Sequence, residues 1–232
     1  MQYQLITTFE ELETVCSLAQ RQGAVALDTE FVRTRTLTPH LGLSQLYDGQ
    51  HLVLIDPLAI DNMQPFVALL ENEAVVKVLH SCSEDLETFL TAFDTVPKPI
   101  FDTQFAASIL GKGPTLGYAK IVEMLCDVVL DKGESRTDWL ARPLRSSQLE
   151  YAALDVIYLL PAYLKIQQQL KDEGRFDAAL EESARLAALK KRVFNQDEAY
   201  KDIKNAWKLN PQQLAVLKVL ARWRAQQAAS RD

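Results

Sequence analysis

Ala24-Val25-Ala26-Leu27-Asp28-Thr29-Glu30-Phe31 runs small and branched apolar residues into two carboxylates two positions apart, closed by an aromatic ring. In a β-strand, positions i and i+2 point to one face, so Asp28 and Glu30 present their carboxylates side by side. Two anions at the end of a buried strand are costly unless something positive lies between them. A divalent metal with oxygen ligands is the simplest candidate. The alternative is a strand that runs out into solvent, where acids cost little. On this stretch alone the solvent reading is the simpler one, and the rest of the chain must decide.

Working outward, Thr8 and Glu11 form a capping box that opens a helix carrying Leu12, Val15 and Leu18, with Gly23 as its stop. After a polar segment, Leu41-Gly42-Leu43-Ser44-Gln45-Leu46-Tyr47 alternates like a strand. Asp48-Gly49 is a hairpin turn signal, and His51 to Asp56 returns as a strand ended by Pro57. Met63 to Leu70 reads as a helix and Val75 to His80 as a short strand, followed by helices over Glu84–Phe93, Asp102–Leu110 and Leu116–Cys126. Antiparallel strands first and strand–helix alternation afterwards predict an α/β fold, a mixed sheet flanked by helices.

The 232 residues suffice for one large domain or for one domain plus a small extra piece, and 48% hydrophobic against 24% charged residues is ordinary for a globular chain with a core. No apolar run reaches membrane-span length, and Met1 to Ile6 lacks the basic start and apolar stretch of a signal peptide, so the expected address is cytoplasmic with no membrane partner. Three widely spaced cysteines fit reduced thiols, and three scattered histidines without a Cys-x-x-Cys offer no zinc site. A net charge of −6 does not exclude nucleic acid, because a groove can be basic on an acidic protein.

Asp131 to Leu144 is polar and turn-rich, with Lys132, Arg136 and Arg142 around Trp139. The tryptophan either serves a functional loop or pins that loop to the core. A helix over Gln148–Leu160 follows, with a Ser147–Glu150 capping box and an apolar face of Leu149, Ala152, Ala153, Val156 and Leu160. Tyr151 and Asp155 stack one turn apart near the opposite face. Pro161 ends or kinks that helix. From Asn205 a further amphipathic unit begins, with Pro211 at a helix start and Leu214, Leu217, Val219 and Leu220 inside.

Asp85 is the third acid, in the first turn of a helix, and Asp155 the fourth. Singly each has an easy account as a capping or solvated acid. The segments Asp28-Thr29-Glu30-Phe31, Ser83-Glu84-Asp85-Leu86 and Tyr151-Ala152-Ala153-Leu154-Asp155 together resemble the three motifs of the DEDD 3′–5′ exonucleases, tyrosine subgroup. The runs Leu27 to Thr36, Phe101 to Gln104 and Asp131 to Leu144 narrow the resemblance to the ribonuclease D branch, and the tail from Asn205 is similar to the opening of a helicase-and-RNase-D C-terminal (HRDC) domain.

That resemblance implies a ribonuclease H-like exonuclease domain over residues 1–194, followed by a helical segment at 195–232 that begins an HRDC-like domain. It implies a metal-dependent 3′–5′ exoribonuclease that removes 5′-mononucleotides from RNA 3′-hydroxyl ends with two divalent ions, Mg²⁺ or Mn²⁺. Asp28, Glu30, Asp85 and Asp155 would hold the metals, and Tyr151, too weak a base at a phenol pKa near 10, would orient the attacking water. Phe31 would stack on a terminal base, with Gln45, Lys132 and Arg136 as further contacts to sugar and phosphate. The implied partner is RNA with a single-stranded 3′ end, tRNA precursors in particular, acted on by a monomer. A DNA-directed 3′–5′ exonuclease and a non-catalytic RNA-binding module are the competing readings.

Overall fold

The computed structural model describes residues 2–34, 36–130, 137–190 and 198–230. Its sheet has six strands: β1 (Gln4–Ile6), β2 (Ala24–Val32), β3 (His40–Tyr47), β4 (Leu52–Ile55), β5 (Val76–Leu79) and β6 (Ile100–Asp102), in the order β1-β4-β3-β2-β5-β6. β2, β3 and β4 form the expected antiparallel meander, while β5 and β6 add in parallel beside β2 and β1 pairs in parallel with β4. The Asp48-Gly49 turn joins β3 to β4. Gly49 sits at a φ of +94°, and Asp48 Oδ1 accepts from the backbone N–H groups of Gln50 (2.8 Å) and His51 (2.6 Å).

Helices cover both faces. α1 (Phe9–Ala19), α2 (Gln64–Glu71) and α3 (Ser83–Phe93) bury Leu12, Val15, Phe66, Leu69, Leu86 and Phe89 against Val25, Leu27 and Leu46. α4 (Thr103–Ile109), α5 (Tyr118–Cys126), α6 (Ser146–Ile157), α7 (Leu159–Asp172) and α8 (Phe176–Lys190) close the other face over Ala26, Leu43, Leu54 and Val78. The alternation of β2 therefore sends Val25 and Leu27 to one layer and Ala26, Asp28 and Glu30 to the other. The mixed sheet flanked by helices is as expected, and so is the Thr8–Glu11 capping box on α1.

Several boundaries differ. β1 and β6 are three-residue strands whose support comes from partners distant in sequence, Val53–Ile55 for β1 and Lys77–Leu79 for β6. The expected single helix at Gln148–Leu160 is two: α6 ends at Ile157 and α7 starts at Leu159, which puts Pro161 in the first turn, where a missing N–H costs nothing. The start of α6 is capped not by Ser147 and Glu150 but by Gln148, whose Oε1 accepts from the Arg145 backbone N–H at 3.0 Å.

In the tail, 3₁₀ turns at Ala199–Asp202 and Ala206–Lys208 precede α9 (Pro211–Ala229), with Pro211 at its first position as expected. Val219 and Leu220, expected inside, are 68% and 55% exposed. Among the described residues α9 packs on the Ala199–Asp202 turn, which is too small to cover its apolar side chains. The expected boundary between 194 and 195 lies outside the described residues.

Candidate active site

β2 carries the first two acids to the end of the sheet. Asp28 and Glu30 face the layer of α6, which brings Asp155 to them: one carboxylate oxygen from each of the three lies within 4.8 Å of the others. Thr29 points the opposite way and its hydroxyl donates to Asp85 Oδ1 at 2.5 Å, so the fourth acid, in the first turn of α3, is fastened to the same strand end. Glu30 and Asp85 are buried, Asp28 and Asp155 half-buried.

Burial followed by the charges of Asp85, Asp155 and Glu30 holds the Asp28 carboxyl well above the usual carboxylate range. Burial, with Asp155 and Asp85, pushes Glu30 up to about 9. Burial raises Asp85 to about 7 against the pull of the Thr29 hydroxyl. It raises Asp155 to about 7 as well, opposed by the Tyr151 hydroxyl and helped by Asp85. Tyr151, one turn before Asp155 on α6, is driven above its ordinary value by burial and by Asp155, Glu30 and Asp28. Convergent carboxylates that resist ionising together are a donor set suited to a hard divalent cation, whose charge would let all of them ionise.

A cavity of about 180 Å³ beside the cluster is lined by Asp28, Tyr151, Asp155 and Leu159, and by His80 and Tyr118, two residues the sequence reading did not single out. His80 Nδ1 lies 2.9 Å from the Thr103 hydroxyl, which donates to Leu79 O, so Nδ1 carries the hydrogen of this contact. Burial holds the His80 imidazole below its ordinary pKa. The Tyr118 hydroxyl donates to Leu154 O at 2.9 Å, tying α5 to the residue before Asp155. The signals for Thr29 and His80 were positional only: a hydroxyl between two acids and a histidine ending an apolar run. A larger cavity, about 760 Å³ around His40, Met63 and Phe93, contains none of the four acids, and chemistry rather than volume identifies the site.

Phe31, next to Glu30 in β2, is half-buried. Gln45 is corrected: at 0% exposure it has no surface to offer a nucleotide. Lys132 and Arg136 lie outside the described residues. Trp139 is the pin rather than a surface group, 1% exposed and 6.3 Å from the Tyr151 ring between centroids. Its backbone presses on Gly42, where a Cβ would stand 2.5 Å from the Trp139 carbonyl oxygen, and Gly42 is the extra residue of a bulge opposite Glu30 and Phe31. Arg142 locks this arrangement. Nε and Nη2 donate to Asp56 at 2.7 Å each, Nη2 also to Gly42 O (2.7 Å) and Nη1 to Trp139 O (2.9 Å).

Known proteins share this sequence pattern and fold. The chain is 51% identical over its whole length to ribonuclease D of Serratia proteamaculans (strain 568), of which it covers 62%. It superposes with a TM-score of 0.94 at 48% identity on the crystal structure of Escherichia coli RNase D, described as an exoribonuclease involved in structured RNA processing; the match covers all of this chain and 62% of that one. The chain thus spans less than two thirds of the relatives it resembles. Brucella melitensis NrnC with bound Mg²⁺ matches at 27% identity and a TM-score of 0.69, over 81% of this chain and 90% of that one. A family model described as 3′-5′ exonuclease matches residues 3–171. With its four acids gathered on that framework, the chain belongs to the 3′–5′ exonuclease family.

Proposed function

We propose that the chain is a metal-dependent 3′–5′ exoribonuclease that releases 5′-mononucleotides stepwise from RNA 3′-hydroxyl ends. The observation that carries this reading is the convergence of the Asp28, Glu30 and Asp155 carboxylates within 4.8 Å, with Asp85 fastened alongside through Thr29. These four side chains would hold two divalent ions, Mg²⁺ or Mn²⁺. When bound, the ions supply positive charge to the phosphodiester oxygens and lower the pKa of the attacking water. Tyr151, whose raised pKa keeps it a phenol, orients that water through its hydroxyl rather than removing a proton. The half-buried ring of Phe31 offers the terminal base a stacking surface that is indifferent to sequence.

The likeness to ribonuclease D supports RNA as substrate; the finer reading we propose is a single-stranded 3′ end, tRNA precursors in particular, acted on by a cytoplasmic monomer. Lys132 and Arg136 are retained as phosphate contacts. The organisation we propose is an exonuclease domain over 1–194 with an HRDC-like helical segment beginning at 195. The exposed Val216, Val219, Leu220 and Trp223 of α9 support it, since such a row belongs to a helix built to pack on others.

Purified protein is given 5′-labelled single-stranded RNA or DNA, with 3′-hydroxyl or 3′-phosphate ends, with Mg²⁺ or with a chelator. We expect a ladder of stepwise shortening on 3′-hydroxyl RNA in Mg²⁺ alone. Internal cuts, or shortening that survives the chelator, would overturn the reading, and equal or faster trimming of DNA would move it to a DNA-directed exonuclease.

A further inference from the structure

Gln45 lies on β3 directly across from Asp28 on β2, and its side chain enters the same layer, beneath α6. It is 0% exposed, yet among the described residues neither its Oε1 nor its Nε2 has a hydrogen-bond partner. A buried primary amide with every donor and acceptor unused is rare, and each such group calls for an explanation. The neighbours on its own face narrow the choices. Leu54 flanks it on β4 and Leu43 lies two residues along β3, both apolar and buried. Tyr47, two residues the other way, spends its hydroxyl on Gly49 O at 3.0 Å. Among the described residues the Trp139 indole N–H has no acceptor, so it does not engage the amide. The acidic neighbours across the ladder are Asp28 opposite and Glu30 on the diagonal. A methionine would fill this position without stranding an amide, so the polar group is matched to a partner that arrives with the ligand.

We infer that Gln45 is a positioning residue: its Nε2–H₂ donates to the Asp28 carboxylate when Asp28 turns onto a cation, and so fixes the ligand's orientation. The inference rests on the metal-binding reading of the acid cluster. It assigns Gln45 a role behind the metal ligand, from which RNA never touches it. Groups that orient a ligating carboxylate in this way change metal affinity about 10–100-fold when removed.

The test measures free Mn²⁺ by electron paramagnetic resonance during titration of the whole chain, together with the melting temperature in chelator, for wild type, Gln45→Met and Gln45→Asn. We expect Gln45→Met to bind Mn²⁺ about tenfold more weakly while melting in chelator at or above the wild-type temperature. Gln45→Asn, whose amide is one carbon short, should weaken binding similarly. Binding by Gln45→Met within twofold of wild type overturns the inference while leaving the metal site intact. If Gln45→Met melts earlier in chelator, Gln45→Asn decides: tenfold weaker binding at an unchanged melting temperature supports the role, and any other result overturns it. A wild-type protein that binds no Mn²⁺ overturns the metal reading, and this inference with it.

Discussion

Around Gly42, the Arg142 guanidinium meets both oxygens of Asp56 and the carbonyls of Gly42, Trp139 and Ala141, so a partly buried charge finds its complement within the chain. At the end of β2, by contrast, Asp28, Glu30, Asp85 and Asp155 meet one another, a threonine hydroxyl and a tyrosine, and burial is the largest influence on each. Among the described residues no ion pair reaches these four. The first arrangement is finished by folding. The second holds like charges at a cost to the fold, which marks it as awaiting a ligand. A buried charge is thus informative through its partners rather than its burial.

Removing one member from each region should have opposite effects on stability. Asp155→Ala should lower metal-dependent trimming more than about 100-fold while raising the unfolding free energy in chelator by on the order of 1–3 kcal/mol, because it relieves repulsion. Urea titration beside the trimming assay reads both, and a folded variant with near-normal turnover would remove Asp155 from the ligand set. Arg142→Ala should instead cost about 2–4 kcal/mol, since Asp56 and three carbonyls lose their donor; the partial exposure of Arg142 keeps the loss below that of a fully buried pair. Unchanged urea stability would mean that the two regions do not differ as described.

The smallest effect is in pH. The folded acids hold protons more tightly than the unfolded chain does, Asp85 and Asp155 up to about 7 and Glu30 up to about 9, so stability in chelator should fall as pH rises. From pH 6.5 to 7.0 we expect a loss on the order of 1–2 kcal/mol. That window lies below the titration of Lys77, which burial holds at about 8 and whose opposite contribution begins above it. Saturating Mg²⁺ should flatten the slope. Stability that is flat or rising with pH in chelator would contradict the uncompensated cluster.

Much of this contrast was legible in the sequence, and the limits are physical. Asp28 and Glu30 could be paired from strand alternation alone, and Tyr151 and Asp155 from helical periodicity, because each pair is local. β1 and β6 could not be read, since three residues become a strand only through a distant partner. Thr29, His80 and Tyr118 escaped for the same reason: each has meaning only through Asp85, Thr103 or Leu154. Trp139 was recognised as notable, but its burial under α6 depends on a bulge that no local pattern announces. Gln45, expected as a contact to sugar and phosphate, is buried instead, because alternation gives a face and not the helix that covers it.

The bulge at Gly42 also constrains how this chain can change length over evolution. Deleting that one residue would regularise the ladder with β2, yet it would take away the carbonyl that Arg142 grips and shift Leu41 to the opposite face. The Asp48-Gly49 turn only a few residues away has no such double duty. Length variation among descendants should therefore collect at the turn and be purged from the strand, so the two ends of β3 would drift at different rates.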